Sequence, residues 1–251
     1  MFNAVKAKDT IVEWIREWFD KNGKDCKAVI GISGGKDSSV VAALCVEALG
    51  KDRVFGVMMP CGTQSDISDS YKVVNFLDIS YTELDIFCIA EDFSSIACRG
   101  GITPSEQAEI NFLPRIRMTM LYFVSQSING RVACTDNFSE SFIGYSTRWG
   151  DNVGDFSPIA DLTSEEVVAV GDALGLPYEL THKVPSDGLC GKTDEDRFGF
   201  TYEVLNRYIN TCECEDEEIR KKIDAMHKKN KFKREPIPKP TLLNDIWMDD
   251  K

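Results

Sequence analysis

Residues 28–49 read AVIGISGGKDSSVVAALCVEAL, and this stretch decides the fold. A short apolar run, Ala28 to Ile30, enters a glycine turn, Gly31 to Ser39, and a long apolar run follows. The pattern is a buried strand, a tight turn and a helix. Two nucleotide fingerprints fail. Gly31 and Gly35 are separated by three residues rather than four, and Asp37 stands after Lys36 where a Walker loop needs Ser or Thr. A G-x-G-x-x-G run is absent as well. What remains is Ser33-Gly34-Gly35-Lys36-Asp37-Ser38 between strand and helix. Paired glycines permit positive φ and close backbone approach. The helix start presents unpaired N–H groups and a positive dipole end. Ser33, Ser38 and Ser39 add hydroxyl donors. The turn is therefore suited to a polyphosphate, and Asp37 beside it calls for an intervening cation, most simply Mg²⁺. The competing local reading is an ordinary strand–helix turn with Asp37 as the helix N-cap.

Outward from this turn, strands and helices alternate. Thr10 and Glu13 form a capping-box pattern ahead of an amphipathic run. The spacing predicts strands over 27–32, 53–59, 81–86 and 131–134. It predicts helices over 37–49, 68–76 and 105–127, the last interrupted by Pro114. Residues 136–161, rich in Gly, Asn, Ser and Asp, read as loop. Thr163 and Glu166 form a second capping box, opening a helix to Leu174. The remainder reads as mostly helical, with a Pro-rich tail. The expected fold is α/β: a Rossmann-like parallel sheet flanked by helices, with ligands at the carboxyl ends of its strands. Residues 1–251 are expected to form one domain.

Composition narrows the function. Apolar residues make up 43% of the 251-residue chain, enough for a sizeable core. No run approaches the ~18 uncharged apolar residues of a spanning helix, and MFNAVKAKDT lacks a signal-peptide core. A cytoplasmic protein without membrane contact is expected. Nine cysteines fit reduced thiols, with Cys45 and Cys134 as buried apolar residues. Two histidines, His182 and His227, exclude a histidine-rich metal site. A net charge of -12 argues against nucleic acid. The basic cluster His227–Arg234 follows the acidic one at Glu213–Glu218, as on one dipole-complementing surface helix.

The hexapeptide Ser33–Ser38 resembles the pyrophosphate loop of the ATP pyrophosphatase superfamily, which has the adenine nucleotide alpha hydrolase-like fold. From about residue 28 to the tail the chain is similar to the NAD synthetase family. VMMPCGTQSDISDS (57–70), NFLPRIRM (111–118), TDNFSESFIGYSTRWGDNVGDFSPIADL (135–162), KVPSDGLCGKTDEDRFGFTY (183–202) and KREPIP (233–238) carry the resemblance in the family's order. It implies that the nicotinate carboxylate of deamido-NAD attacks the α-phosphate of ATP, and that ammonia then displaces AMP to give NAD+. Gly31, Ser33, Gly34, Gly35, Asp37, Ser38, Met59, Thr135 and Ser186 are implied for ATP. Asn111, Arg115, Asp155 and Lys233 are implied for deamido-NAD. Asp37 and Glu140 are implied as Mg²⁺ ligands, with Asn137 and Ser139 shaping their loop. Asp151 and Asp155 are implied in guiding and deprotonating ammonium, against Asx-turn chemistry as the plainer role. Arg117, two residues from Arg115 on a helix, faces elsewhere and is structural.

The chain departs from the family at Ser164, where a phosphate-binding lysine is usual. Either Lys183, Lys192 or Lys36 then supplies that charge, or phosphate binding is weaker. Asp187 replaces a small residue, and Phe232 a histidine. No amidase domain is expected, so the nitrogen source is free ammonia or ammonia from a separate protein. A homodimer is implied. Other readings are a tRNA-modifying or sulfur-transferring pyrophosphatase, or a non-catalytic nucleotide-binding module.

Overall fold

A computed structural model describes residues 2–64, 66–183 and 194–240. The sequence of elements begins with α1 (Ala4–Asn22), β1 (Lys27–Gly31), α2 (Lys36–Leu49) and β2 (Val54–Met58). It continues through α3 (Ile67–Leu77), β3 (Ser80–Glu83), α4 (Phe87–Arg99), α5 (Glu106–Ser127) and β4 (Gly130–Val132). Then come α6 (Phe138–Ile143), α7 (Ser164–Ala173), α8 (Tyr178–Thr181) and α9 (Asp194–Phe198). The last are α10 (Tyr202–Thr211), α11 (Glu217–Lys229) and α12 (Lys231–Arg234).

The sheet is parallel, in the order β3-β2-β1-β4. Ala28 of β1 lies between Val54 of β2 and Arg131 of β4. The chain steps outward from β1 to β3 and then returns to β4 on the other side. Such a reversal opens a crevice at the strands' carboxyl ends, the place where open α/β sheets bind ligands. Side chains of β1 alternate between two cores, as a strand covered on both faces requires. Ala28 and Ile30 pack with Val12, Phe19, Leu44 and Val170 of α1, α2 and α7. Val29 packs on the opposite face with Val132 and with Ile116 and Leu121 of α5. A third apolar cluster, Ile143, Phe198, Leu205 and Ile223, joins α6 to α9, α10 and α11.

Several expectations need correction. Helix α1 starts earlier than Thr10: Asn3 caps it by accepting from the Lys6 N–H at 3.0 Å, and Thr10 lies inside, its hydroxyl donating to Lys6 O. Pro114 does not break α5, which runs on around it against the sheet. Between β3 and α5 stands α4, whose large apolar residues Phe87, Ile89, Phe93 and Ile96 stay outside. The loop at 136–161 contains α6, capped by Asn137 and stopped by Gly144. Asn230 divides the basic tail into α11 and α12, so the charge-bearing segment is not one helix. The capping box at Thr163 and Glu166 is present in both directions. Cys45 and Cys134 are buried.

Candidate active site

The glycine turn leaves β1 at its carboxyl end. Gly34 takes φ +77° and lies so close to α3 that a Cβ would meet Ser70 N at 2.7 Å. Only glycine fits that position. Helix α2 opens with Gly35 as N-cap rather than Asp37, and no side chain caps its first turn. Its leading N–H groups therefore face the crevice, as an anion site requires. Short-range bonds hold the turn. Gly35 N donates to Ser33 Oγ at 3.2 Å, and the hydroxyls of Ser33 and Ser38 lie 3.1 Å apart. Ser38 and Ser39 hydroxyls both donate to Gly35 O.

The second wall comes from the segment after β4. Asn137 joins the walls: its Nδ2 donates to Asp37 Oδ1 at 3.0 Å, while its Oδ1 accepts from the Glu140 N–H at 3.1 Å. Asp37, Asp136 and Glu140 thus share one acidic pocket. Burial pushes the Glu140 carboxyl well above the usual range, and the Asp37 and Asp136 charges push it further. Burial likewise pushes Asp136 up to about 7, although a hydrogen bond with Glu140 works the other way. Lys36 is buried against these acids, its ammonium 2.7 Å from Asp37 Oδ2 and 5.7 Å from the centroid of the Tyr202 ring. Burial alone would lower its pKa, but Asp37, Glu140 and Asp194 raise it and keep it charged. Asp194 in turn accepts hydroxyl bonds from Tyr145 and Tyr202.

The expected residues among those described take the following places. Gly31, Ser33, Gly34, Gly35, Asp37 and Ser38 line the turn; Thr135 leads into the second wall. Met59, past the end of β2, accepts Arg117 Nε at its carbonyl at 3.0 Å, so Arg117 braces the sheet. Asn111 accepts from Thr147 Oγ1 at 3.0 Å, and Arg115 Nε donates to Arg148 O at 3.3 Å. Asp151 Oδ1 accepts the N–H groups of Thr147 and Asn152, at 2.5 and 3.1 Å. Burial raises its pKa against those bonds. Asp155 sits beside β4: Oδ2 accepts Val132 N at 2.8 Å and Oδ1 the Tyr122 hydroxyl at 3.2 Å. Lys233 donates to Gly144 O and Ser146 O, at 2.8 and 2.7 Å. Burial lowers its pKa, while Asp151 and Asp136 oppose the shift. Ser186 and Lys192 lie outside the described residues. Ser164 is buried, its N–H donating to Ser139 Oγ, and Lys183 pairs with Asp66 and Asp69 of the α3 entrance. Among the described residues Lys36 lies against Asp37 and Glu140, and Lys233 is near Asp136 and Asp151.

Sequence reasoning passed over Asp136, Asp194 and Tyr202. The helix signal of α6 was nonetheless legible: Asn137 as cap, Glu140 three residues on, and Gly144 as stop. A cation suits a pocket where Asp37, Asp136 and Glu140 gather and burial drives Asp136 and Glu140 toward protonation. Among the described residues no three of His, Cys, Asp and Glu stand as a finished cage. An ion there would complete its oxygen shell from phosphates and water, as Mg²⁺ usually does.

Comparison with known proteins bears on this geometry. The model of a family described as NAD synthase matches residues 7–237, reaching back into α1 ahead of the glycine turn. The chain is similar to an NH(3)-dependent NAD(+) synthetase of Archaeoglobus fulgidus, 37% identical over 243 residues, which covers 94% of this chain and 96% of the relative. Among solved structures it is similar to NMN synthetase from Francisella tularensis, with a TM-score of 0.89 at 28% identity over 96% of this chain and 100% of that one. It is also similar to the NH3-dependent NAD synthetase of Campylobacter jejuni, with a TM-score of 0.76 at 28% identity over 97% and 100%.

Proposed function

The chain belongs to the NAD synthase family, and from that premise we propose how its own residues carry the ammonia-dependent synthesis of NAD+. ATP is the co-substrate and deamido-NAD the acceptor. The open N-terminus of α2 with its serine-lined turn takes the β,γ-pyrophosphate as leaving group. Lys36 offsets charge as the phosphates enter. Asp37 and Glu140, with Asp136 beside them, would hold Mg²⁺, which neutralises phosphate charge when bound. The nicotinate carboxylate attacks the α-phosphate, the α–β bridge breaks, and pyrophosphate departs. Ammonia then attacks the acyl carbon, and AMP leaves as the amide forms. Asp151, its pKa raised, receives the proton of the incoming ammonium. Arg115 and Asn111 on α5 belong to the deamido-NAD side, with Lys233 reaching it from the tail. Asp155, whose two oxygens are taken by Val132 and Tyr122, carries the fold at the end of β4 rather than the proton. The observation that carries the proposal is the uncapped α2 start, with Asp37 in its first turn, facing Asn137 and Glu140 across the crevice.

A homodimer is part of the proposal. Phe87, Ile89, Phe93 and Ile96 on α4 are exposed, and the Phe93 ring lies tilted against Phe112 of α5. Phe123 and Trp149 flank an open groove of about 430 Å³ on α5. A patch of this kind marks a partner surface. No helix among the described residues is long and apolar enough to cross a membrane. The likeness to an NH(3)-dependent NAD(+) synthetase, 37% identical over 94% of this chain, supports ammonia as nitrogen source.

Pyrophosphate release tests the reaction. It is expected only when ATP, Mg²⁺, deamido-NAD and ammonium are all present for turnover. Release that needs tRNA instead, or ATP binding without release, would overturn it. A second reading is amidation of the acid counterpart of NMN. It is favoured by the TM-score of 0.89 to an NMN synthetase against 0.76 to an NAD synthetase at the same 28% identity. The ratio of kcat/KM for the two acids decides between them.

A further inference from the structure

Helix α6, which carries Glu140, has only six residues, too few to hold a helix in isolation. Its start is fixed by Asn137. Its end is fixed from far along the chain. Gly144 N–H closes the last turn onto Glu140 O and Ser141 O, and the tail supplies further donors to the closing carbonyls. Arg234 NH1 donates to Ser141 O at 3.0 Å and to Phe142 O at 2.6 Å. Asn230 Nδ2 donates to Ile143 O at 2.8 Å. Arg234 NH2 also donates to His227 O at 3.0 Å and lies 3.3 Å from His227 Nε2. The other ring nitrogen, His227 Nδ1, is 2.8 Å from Phe142 O. The fit is close: Gly144 has φ +68°, and a Cβ there would stand 2.2 Å from Asn230 Cβ.

We propose that Arg234 is a positioning residue of the ATP site, clamping the carboxyl end of α6 and thereby holding Glu140 opposite the phosphate turn. The proposal rests on the reading of Glu140 as part of that site. Arg234 touches neither Asp37 nor Glu140 in any bond described above; it acts through the helix. A planar guanidinium can span two successive carbonyls and a histidine at once, which an ammonium cannot. Its charge also sits at the negative end of α6. The basic cluster, which in sequence reads as a solvated surface helix, thus has a specific task at the site.

The test uses the full-length enzyme with Arg234→Met, Arg234→Lys and Glu140→Gln. ATP binding is measured by calorimetry with Mg²⁺ and no deamido-NAD, and α6 amide exchange is followed alongside. Arg234→Met is expected to weaken ATP binding about tenfold and to raise exchange at 141–146 at least tenfold, while α2 amides change less than twofold. KM for deamido-NAD should stay within about twofold. Arg234→Lys should fall between parent and Arg234→Met, and it carries the test if Arg234→Met fails to fold. ATP affinity within twofold of the parent in the folded arginine variants, while Glu140→Gln weakens it, overturns the clamp. Unchanged affinity in Glu140→Gln overturns the reading beneath it.

Discussion

The two walls of the acidic pocket are held by contacts of different reach. The phosphate turn is fixed from within: Ser33, Gly35, Ser38 and Ser39 bond one another inside seven residues, and the distant neighbour is α3 behind Gly34. Helix α6 is fixed from outside, by side chains some 90 positions further along the chain. The turn is a property of a short sequence on a rigid strand. The opposite wall depends on the C-terminal cluster packed around Ile143, Phe198 and Ile223. One wall is therefore rigid and autonomous, and the other is conditional, open to weakening from a distance.

The largest expected effect removes the group where the walls meet. Asp37→Ala should cut pyrophosphate release by at least ~10³-fold while Tm moves by only a few degrees; a near-normal rate would remove the carboxylate from the reaction. Asp151→Asn keeps an oxygen for the Thr147 and Asn152 N–H groups, so pyrophosphate exchange should survive while amide formation slows by ~10²-fold. Equal loss of both would take Asp151 out of ammonia handling.

The walls should also differ in how they fail. Gly144→Ala forces a side chain into φ +68° and against Asn230, a cost of about 2–4 kcal/mol. Asn230→Gly in the same chain should return part of the lost Tm by removing the colliding atoms. Absence of any return would mean the strain is backbone alone.

The acids predict the pH response. Asp136 and Glu140 titrate higher in the folded chain than in the unfolded one, so the folded state binds more protons. Stability of the ligand-free protein should then fall, by about 1–2 kcal/mol, as pH rises through about 7. Mg²⁺ with ATP should reduce that loss; stability rising over the same span would contradict the pocket's electrostatics. The Asp69 carboxyl, held low by Lys183 and Lys72, has the opposite sign, and its contribution is lost only in acid. The smallest effect belongs to Thr163→Ala, which removes the α7 capping box. About 1 kcal/mol, or a Tm fall of roughly 2–4 °C, is expected with ATP affinity unchanged.

The same contrast explains what could be read from sequence. The turn was legible because its determinants are contiguous: apolar strand, glycines, serines and helix follow one another in residues 28–49. The parallel sheet followed from the alternation, and the box at Thr163 from a four-residue pattern. Helix α6 carries cap and stop signals at Asn137 and Gly144, but its six residues within a polar stretch give too little periodicity to stand out. The box expected at Thr10 failed because Asn3 offered an earlier cap with a full turn of helix behind it. Pro114 cost less than expected because α5 is held by packing on the sheet. The roles of Asp194, Tyr202 and Arg234 depend on tertiary contacts that no local pattern encodes.

The central claim is that the nicotinate carboxylate becomes bonded to the α-phosphate before ammonia enters. Deamido-NAD carrying ¹⁸O in that carboxylate, turned over with ATP, Mg²⁺ and ammonium, tests it directly by mass spectrometry of the products. One labelled oxygen should appear in AMP, none in pyrophosphate, and the other should be retained in the amide of NAD+. AMP without label, or label released as phosphate or water, would contradict the account.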